Sequence, residues 1–586
     1  MRSRWTVPIA GIVVLVLAFG GIVPAVGAQD ASPVSSPAGT GETITSVTRE
    51  EYYQQLRENF EFEEPASQGG QLIQGELSDI STTNPLLVDD TYSGWIASLT
   101  FETLVQINPI DGSIAPGLAD RYELAPDGVT YTFNLNPDAR WHDGTDLTAN
   151  DVLFSFDYAN SDEGIYAYRS DFQSEVESYR AVDDDTVEIV TTGPIASFLY
   201  DVPGTVYVMP RHIWEEVPFA NWQNDPGSTG QDPARVVGTG PFRFQEWVQN
   251  DHVTLVRNDE YWDPQATPVI DEYRYRVLPD ENTLVQALIA GEIDVFENIP
   301  PAQVEDVRNS GNADVLSQDS LGFNWYAPNH QLPIFQEVEV RQAMLHALDR
   351  QLIADEIYLG FAEVANGTQP VLSPSYAPDQ IETVYDFDPD RARELLEQAG
   401  WSDSDGDGTV DKDLNGDGQI GDDEQLRFEF LYTEGVAIYE QMVPYMQEAW
   451  AEIGATMVPQ AVPFPTLSQR VDDGDFGIAL YGFTWDPDGG QGVMFRCDAF
   501  APDGFNSMRY CNPQYDELDD RMESTLDAEA RRQLQIELSN IANNDAANGI
   551  IVFRQRNRGF ANRVHNFFPT GFVYAWYIPY VWVDPQ

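Results

Sequence analysis

The sequence predicts a mixed α/β fold divided among two or three lobes, and three observations lead there. At 586 residues the chain is too long for one hydrophobic core. Its 42% apolar content excludes a mainly disordered polypeptide. Segments of strand and helix periodicity alternate irregularly along it, which suits α/β layers better than any repeat.

Taken in order, Thr6 to Ala28 are uncharged and apolar, follow Arg2 and Arg4, and end in Val26-Gly27-Ala28, small residues that fit a signal-peptidase site before Gln29. Residues 1–28 read as a signal peptide and the chain as exported. Retention of the same run as a tether competes with that reading, because it is long enough to span a bilayer. Ser, Pro, Gly and Ala dominate from Gln29 to Thr45, the composition of a flexible spacer. A short helix is predicted next, with Thr48 and Glu51 as a capping pair and Tyr52, Leu56 and Phe60 along one stripe. The Ser67-Gln68-Gly69-Gly70 break closes it, and the main body starts near Gln71.

From there strands and helices alternate irregularly, including LIQGELSD, a helix around Tyr92 to Leu104, and strands near Val129–Leu135 and Thr186–Val190. Within YTFNLNPDARWHDGTDLTANDVLFSFDY, Tyr131, Phe133 and Leu135 alternate as a half-buried strand, His142-Asp143-Gly144 supplies a tight reversal, and Thr148 with Asp151 caps a helix whose apolar face is Val152, Leu153 and Phe156. Gly238-Thr239-Gly240-Pro241 turns the chain into alternating Phe242, Phe244 and Trp247. A phosphate-cradling loop is a poor rival there, since Pro241 lacks the needed N–H and no Gly-Lys-Ser/Thr follows. DENTLVQALIAGEIDVF predicts a helix stopped at Gly291 and a short strand. Phe335 to Tyr358 predicts one long amphipathic helix, and Asp388-Pro389 caps another that Gly400 closes.

The WHDG-T-D-L-T-A-N-D-V order, the GTGPF turn with its hairpin ending in Tyr261-Trp262, the DENTLVQALIAGEIDVF element and the VRQA helix resemble, in order, the family 5 solute-binding proteins, the dipeptide and oligopeptide receptors of ATP-driven bacterial importers. The resemblance implies a two-lobed, type II periplasmic-binding-protein-like clamp with an extra subdomain in lobe I. Residues 71–103, 236–300 and 549–586 would form the first lobe, 104–235 its subdomain and 301–548 the second lobe, after a linker and short helix at 29–70. It further implies a peptide or other small solute as ligand, a membrane permease as partner, a monomeric receptor and a periplasmic or cell-surface location. The lipid-modified cysteine common in such receptors is missing, since no cysteine precedes Cys497.

Net charge is −65 and Lys412 is the single lysine. A field of that sign repels phosphates and excludes nucleic acid as a partner. Attraction of cationic solutes and a merely solvated acidic surface both remain open. Cys497 and Cys511 form an even pair in an exported chain, which favours a disulfide over two free thiols.

Asp403 to Glu424, DSDGDGTVDKDLNGDGQIGDDE, has calcium-loop spacing. The second half offers Asp413, Asn415 and Asp417 at positions 1, 3 and 5, Gly418 at 6, Gln419 through its carbonyl at 7 and Glu424 at 12. The first half repeats the opening with Asp403, Asp405 and Asp407 and reaches Asp411, but ends in Leu414, so its closure is missing. A structural calcium ion is expected. A solvated acidic turn is the bland alternative, because crowded carboxylates repel one another, and a dockerin-type module is a third.

For the ligand, the resemblance points to Asp89, Asp90, Thr91, Ser93 and Trp95, where a helix start could hold an anionic end. It points also to Tyr481, Trp485, Asp486 and Asp488 as a cleft wall with a stacking tryptophan and an acid for a cationic group, and to Tyr326 near the hinge. The stretch between Gly482 and Asp486 is shorter than in dipeptide receptors, so the acid that pairs with a ligand's amino terminus there could be lost or replaced by Asp486. An exported glycoside hydrolase is the rival from another class. No acid pair stands out for that role, and no nucleophile elbow, zinc helix or Walker loop occurs. Oligosaccharides and metal chelates stay open as ligands, and a scaffold or adhesin is a third class.

Overall fold

The computed structural model describes residues 43–66, 68–501 and 504–585. The predicted signal peptide and most of the spacer lie outside them. Among the described residues no helix is long and apolar enough to cross a membrane.

Two long antiparallel strands, Ala313–Pro328 and Gly549–Ala561, organise the molecule. At one end Gly549–Ala561 pairs with Val295–Phe296, which leads to the parallel Gln71–Glu76 and Glu272–Val277 and then to the hairpin His252–Arg257 and Phe242–Val248. At the other end Ala313–Pro328 pairs with Ile478–Thr484, followed by the parallel Arg427–Thr433 and Thr456–Val462, while Ala362–Val364 lies beside Gly549–Ala561. One sheet thus passes through two bodies, and the ladder between its long strands breaks register between Asp319 and Phe323. A separate antiparallel sheet joins Ile44–Thr45, Ala119–Leu124, Thr130–Leu135, Thr186–Thr191 and Val176–Asp183.

Local rules account for the elements. Thr48 caps the helix Arg49–Asn59 in a full capping box with Glu51. Tyr131, Phe133 and Leu135 point into the first core, as their alternation predicts. Asp151 Oδ2 accepts the Thr148 N–H at 2.9 Å and its hydroxyl at 3.0 Å, so the helix Ala149–Asn160 starts where expected. The two family motifs interlock. His142 Nδ1 accepts the Gly238 N–H at 3.1 Å, and Nε2 donates to the Gly240 carbonyl at 3.0 Å. That pairing fixes the neutral tautomer, and burial pushes the His142 pKa down to about 4.

Two predicted helices are corrected. Tyr92–Leu104 is shorter, Thr91–Thr100, because the Thr100 carbonyl accepts the Gly240 N–H at 2.9 Å and the chain turns away. Phe335–Tyr358 is not continuous but runs as Val338–His346, Arg350–Leu352 and a wide turn at Ile353–Ile357. Asp349 opens the new segment by accepting the Leu352 N–H at 2.9 Å.

Cys497 and Cys511 are bonded, as predicted. The bridge closes a loop of the second body, where the Cys497 N–H also donates to Asp516.

Candidate functional site

The bodies meet across a crevice roofed by the subdomain. A Cβ placed on Gly112 would lie 3.0 Å from the Pro487 side chain and 2.8 Å from Phe572, so the subdomain touches both the Asp486-Pro487-Asp488 turn and the C-terminal segment. The Ala196 N–H donates to the Glu523 carbonyl at 2.9 Å, and Leu526 packs on the first core.

Carboxylates crowd this crevice. Asp486 stays open to solvent although protein surrounds it on most sides, and burial together with Asp488 and Asp201 pushes its pKa up to about 7. Glu523 is pushed up to about 8 by burial first and then by Asp488, with Arg531 opposing. Glu175 and Asp201 of the subdomain are neighbours, and burial raises both. Asp488 is largely buried and takes an Arg531 N–H at 2.9 Å. Arg531 is the sole cation to pair with these five acids among the described residues. A cluster of acids with one paired cation favours positive charge nearby.

The predicted ligand residues separate on inspection. Asp486 lines the crevice, Asp488 borders it, and Tyr481 is half-buried, stacked on Trp325. Trp485 is buried against Phe323, with its indole N–H on the Thr368 carbonyl, so it is a wall rather than a stacking surface. Tyr326 is 2% exposed against Trp450, a core residue rather than a contact. Trp95 is likewise buried, beside Tyr574. The helix start at Thr91 does not suit an anion. Asp90 already accepts the Ser93 N–H at 2.8 Å and its hydroxyl at 2.6 Å, and Asp89 stands exposed next to it. A caged carboxylate fills the place an anionic group would take.

Sequence reasoning missed Glu175, Asp201 and Glu523, which no motif marks. It also missed Arg554, Arg556 and Arg558, whose Arg-x-Arg-x-Arg alternation in a predicted strand was the available signal. Arg558 is buried with Glu297, Nε to Oε2 at 2.6 Å, beside the buried Glu76, whose carboxyl is raised by burial and by Glu297.

In the acidic loop both halves fold alike. Asp403 accepts the N–H groups of Gly406, Asp407 and Gly408, and Asp413 those of Gly416, Asp417 and Gly418. Their ligand sets differ. Asp403, Asp405 and the buried Asp411 bring carboxylate oxygens within 4.8 Å of one another. In the second half Glu424 spends its carboxylate on the Leu414, Asn415 and Gly421 N–H groups, the group expected to close on an ion. Asp405 and Asp407 of the first half and Asn415 and Asp417 of the second accept matching turn N–H groups, so the difference rests on Glu424, and Gln419 is exposed.

A cavity of about 430 Å³ lies elsewhere on the second body, lined by His330, Arg341, Arg509 and Asp545 among others.

The profile of the bacterial extracellular solute-binding proteins, family 5 Middle, matches residues 113–501. The oligopeptide-binding protein AppA of Bacillus subtilis is 26% identical over 456 residues, covering 77% of this chain and 80% of AppA. The dipeptide-binding protein of Escherichia coli is 25% identical, over 74% and 80%. The crystal structure of the ABC transporter substrate-binding protein CtaP of Listeria monocytogenes superposes with a TM-score of 0.76 at 24% identity, covering 88% of this chain and all of that one.

Proposed function

This chain belongs to the bacterial extracellular solute-binding proteins of family 5, and from that premise we propose that it is the peptide receptor of an ATP-driven importer. Di- or oligopeptides enter between the two bodies, the bodies close by bending at the crossing strands, and the closed form is handed to a membrane permease. The family is one of binding proteins, and the reading assigns capture without turnover. The observation that carries it is the crevice itself, where Asp486 remains reachable by solvent under a roof of subdomain residues. An ammonium group there would neutralise acids that otherwise stay protonated. Relatives named for oligopeptide and dipeptide binding support the same class. Isothermal titration with di- to nonapeptides tests it: saturable binding at micromolar Kd or tighter is expected, and a chain that binds sugars but no peptide would refute it.

The export reading extends to residues 1–28, either removed or kept as a tether, and the receptor acts as a single copy. N-terminal sequencing of secreted material separates removal from retention.

Calcium is proposed as a structural ion of the acidic loop, on the donor set Asp403, Asp405 and Asp411, hard oxygens of the type it prefers. Bound there, it would neutralise carboxylates that repel one another and pin the loop. Calcium titration should give heat in the wild type and in Glu424→Gln but none in Asp403→Asn. Equal heats in all three, or none, would remove the site.

A further inference from the structure

The ladder between Ala313–Pro328 and Gly549–Ala561 is wide open at one place. Asp319 pairs with Gln555 and Phe323 with Phe553, so Ser320, Leu321 and Gly322 together face a single residue of the other strand, Arg554. Ladder residues on one side of this bulge lead to Val295–Phe296 of the first body, and those on the other side pair with Ile478–Thr484 of the second. The bulge is therefore where the shared sheet passes from body to body. Surplus residues in a ladder bend the strand that carries them and leave it locally unpaired.

Arg554 holds the bulge from two sides. Its carbonyl accepts the Ser320 hydroxyl at 2.6 Å, and the same hydroxyl oxygen accepts the Gly322 N–H at 3.1 Å, which laces the surplus residues to the backbone at position 554. Its side chain then lies across them. A Cβ placed on Gly322 would sit 2.9 Å from Nη2 and 3.3 Å from Nε, so the guanidinium fills the space that a glycine leaves. Beyond the bulge, Nη2 donates to the Phe483 carbonyl at 3.0 Å. That is the one hydrogen bond of this guanidinium among the described residues, and its Nε–H is buried without an acceptor. A buried donor left unpaired costs free energy, so stability alone is a poor reason for an arginine here.

The contact leads straight to the crevice. Two residues after Phe483, the Trp485 N–H donates to the Leu321 carbonyl inside the bulge at 3.1 Å, and Asp486 follows. On the opposite side the C-terminal segment crosses the same spot. A Cβ on Gly571 would lie 2.6 Å from the Asp319 carbonyl oxygen, and the next residue, Phe572, meets Gly112 of the subdomain. Bulge, guanidinium and crevice wall are thus one connected set of contacts.

We propose that Arg554 is the bolt of the hinge: laid across residues 320–322 and fastened to the Phe483 carbonyl, it limits the angle between the bodies and passes each change of that angle to the turn carrying Asp486. This rests on the reading that the bodies close by bending at the crossing strands, and it names the positioning residue of that motion. The role requires no contact with ligand.

Spin labels on Ile165→Cys and Phe387→Cys, exposed residues of the subdomain and the second body, report the distance between the bodies in the full chain, since both native cysteines are bonded to each other. In Arg554→Met the distance distribution should widen about twofold. Gly322→Ala, whose methyl group displaces the guanidinium, should widen it as much, and the double variant should match either single one because both changes remove the same contact. Arg554→Lys, which keeps the charge and loses the planar fork, should fall between. Amide exchange supplies a second measurement. The Trp485 N–H should exchange about tenfold faster in Arg554→Met and in Gly322→Ala, with Arg427–Thr433 unchanged. Variants that match wild type, additive effects in the double variant, or faster exchange spread evenly through the second body would each overturn the bolt. Its failure is distinct from failure of the closing reading. In the first case the wild-type distance still shortens with di- to nonapeptides while the variants match it, and in the second no peptide moves that distance.

Discussion

A methyl group on residue 238 would sit 1.8 Å from the Thr100 carbonyl oxygen, and both partners are backbone, so neither can swing away. Gly238 is where the GTGPF turn passes under the end of the helix Thr91–Thr100, beside the His142 ring. Gly238→Ala should therefore cost about 3 kcal/mol or more, the range of overpacked core sites. Urea unfolding checks it, and a midpoint within error of wild type would show that the turn can move. Arg556 and Arg558 make a complementary point. Two arginines two positions apart, identical in sequence terms, differ in that only Arg558 meets Glu297.

At the scale of elements, the disulfide and the acidic loop stiffen the second body in different ways. Cys497 and Cys511 are 14 residues apart, and a loop of that size loses roughly 3 kcal/mol of unfolded-state entropy when closed. Cys497→Ser with Cys511→Ser should lower stability by up to about 3 kcal/mol, read by thermal unfolding with and without reductant. A reductant-sensitive wild type and an insensitive variant are expected, and matching curves would show the bridge to be thermodynamically idle. The break in the predicted Phe335–Tyr358 helix belongs here too. Periodicity continued through it, but Asp349 competes for a backbone N–H, and buried Arg341 gives its donors to the Phe335, Gln336, Asp545 and Ala546 carbonyls.

For the whole molecule, the crevice acids set a pH dependence. An unfolded carboxylate titrates near 4, whereas Asp201 and Asp486 are raised to about 7 and Glu523 to about 8, with Glu175 raised as well. Folded chains bind more protons than unfolded ones between those values, so stability falls as pH rises through the window and levels off above it. Buried His142 and His330, lowered to about 4 and about 3, act in the opposite sense, but only below their unfolded value of 6.5. Between pH 6.5 and 8 the carboxylates act with the similarly raised Glu102 and without that opposition. A slope on the order of 1 kcal/mol per pH unit is expected, shallower in Glu523→Gln. A Tm that holds or climbs from pH 6.5 to 8 would contradict the crevice acidity. The facing charges are Asp171, Glu175, Asp201, Asp486, Asp488, Asp519, Glu523 and Arg531.

The amino-acid sequence by itself determined what short-range chemistry can specify. Alternation placed the strand Thr130–Leu135, capping pairs started helices at Thr48 and Thr148, and ordered motifs identified the two-body family. The Asx turns of both acidic half-loops likewise follow from Asp, Asn and Gly spacing alone. Only the tertiary structure decided which polar groups are left over. Trp95, Trp485 and Tyr326 look like ligand contacts as residue types and are packed away, because burial depends on what arrives from hundreds of residues off. Asp90 consumes the helix start that an anion would need, and Glu297 forms its ion pair with Arg558 across a separation of 261 residues while Arg556 stacks on Tyr574. Charge pairing is a contest among all neighbours in space, and a one-dimensional reading sees only the contestants along the chain.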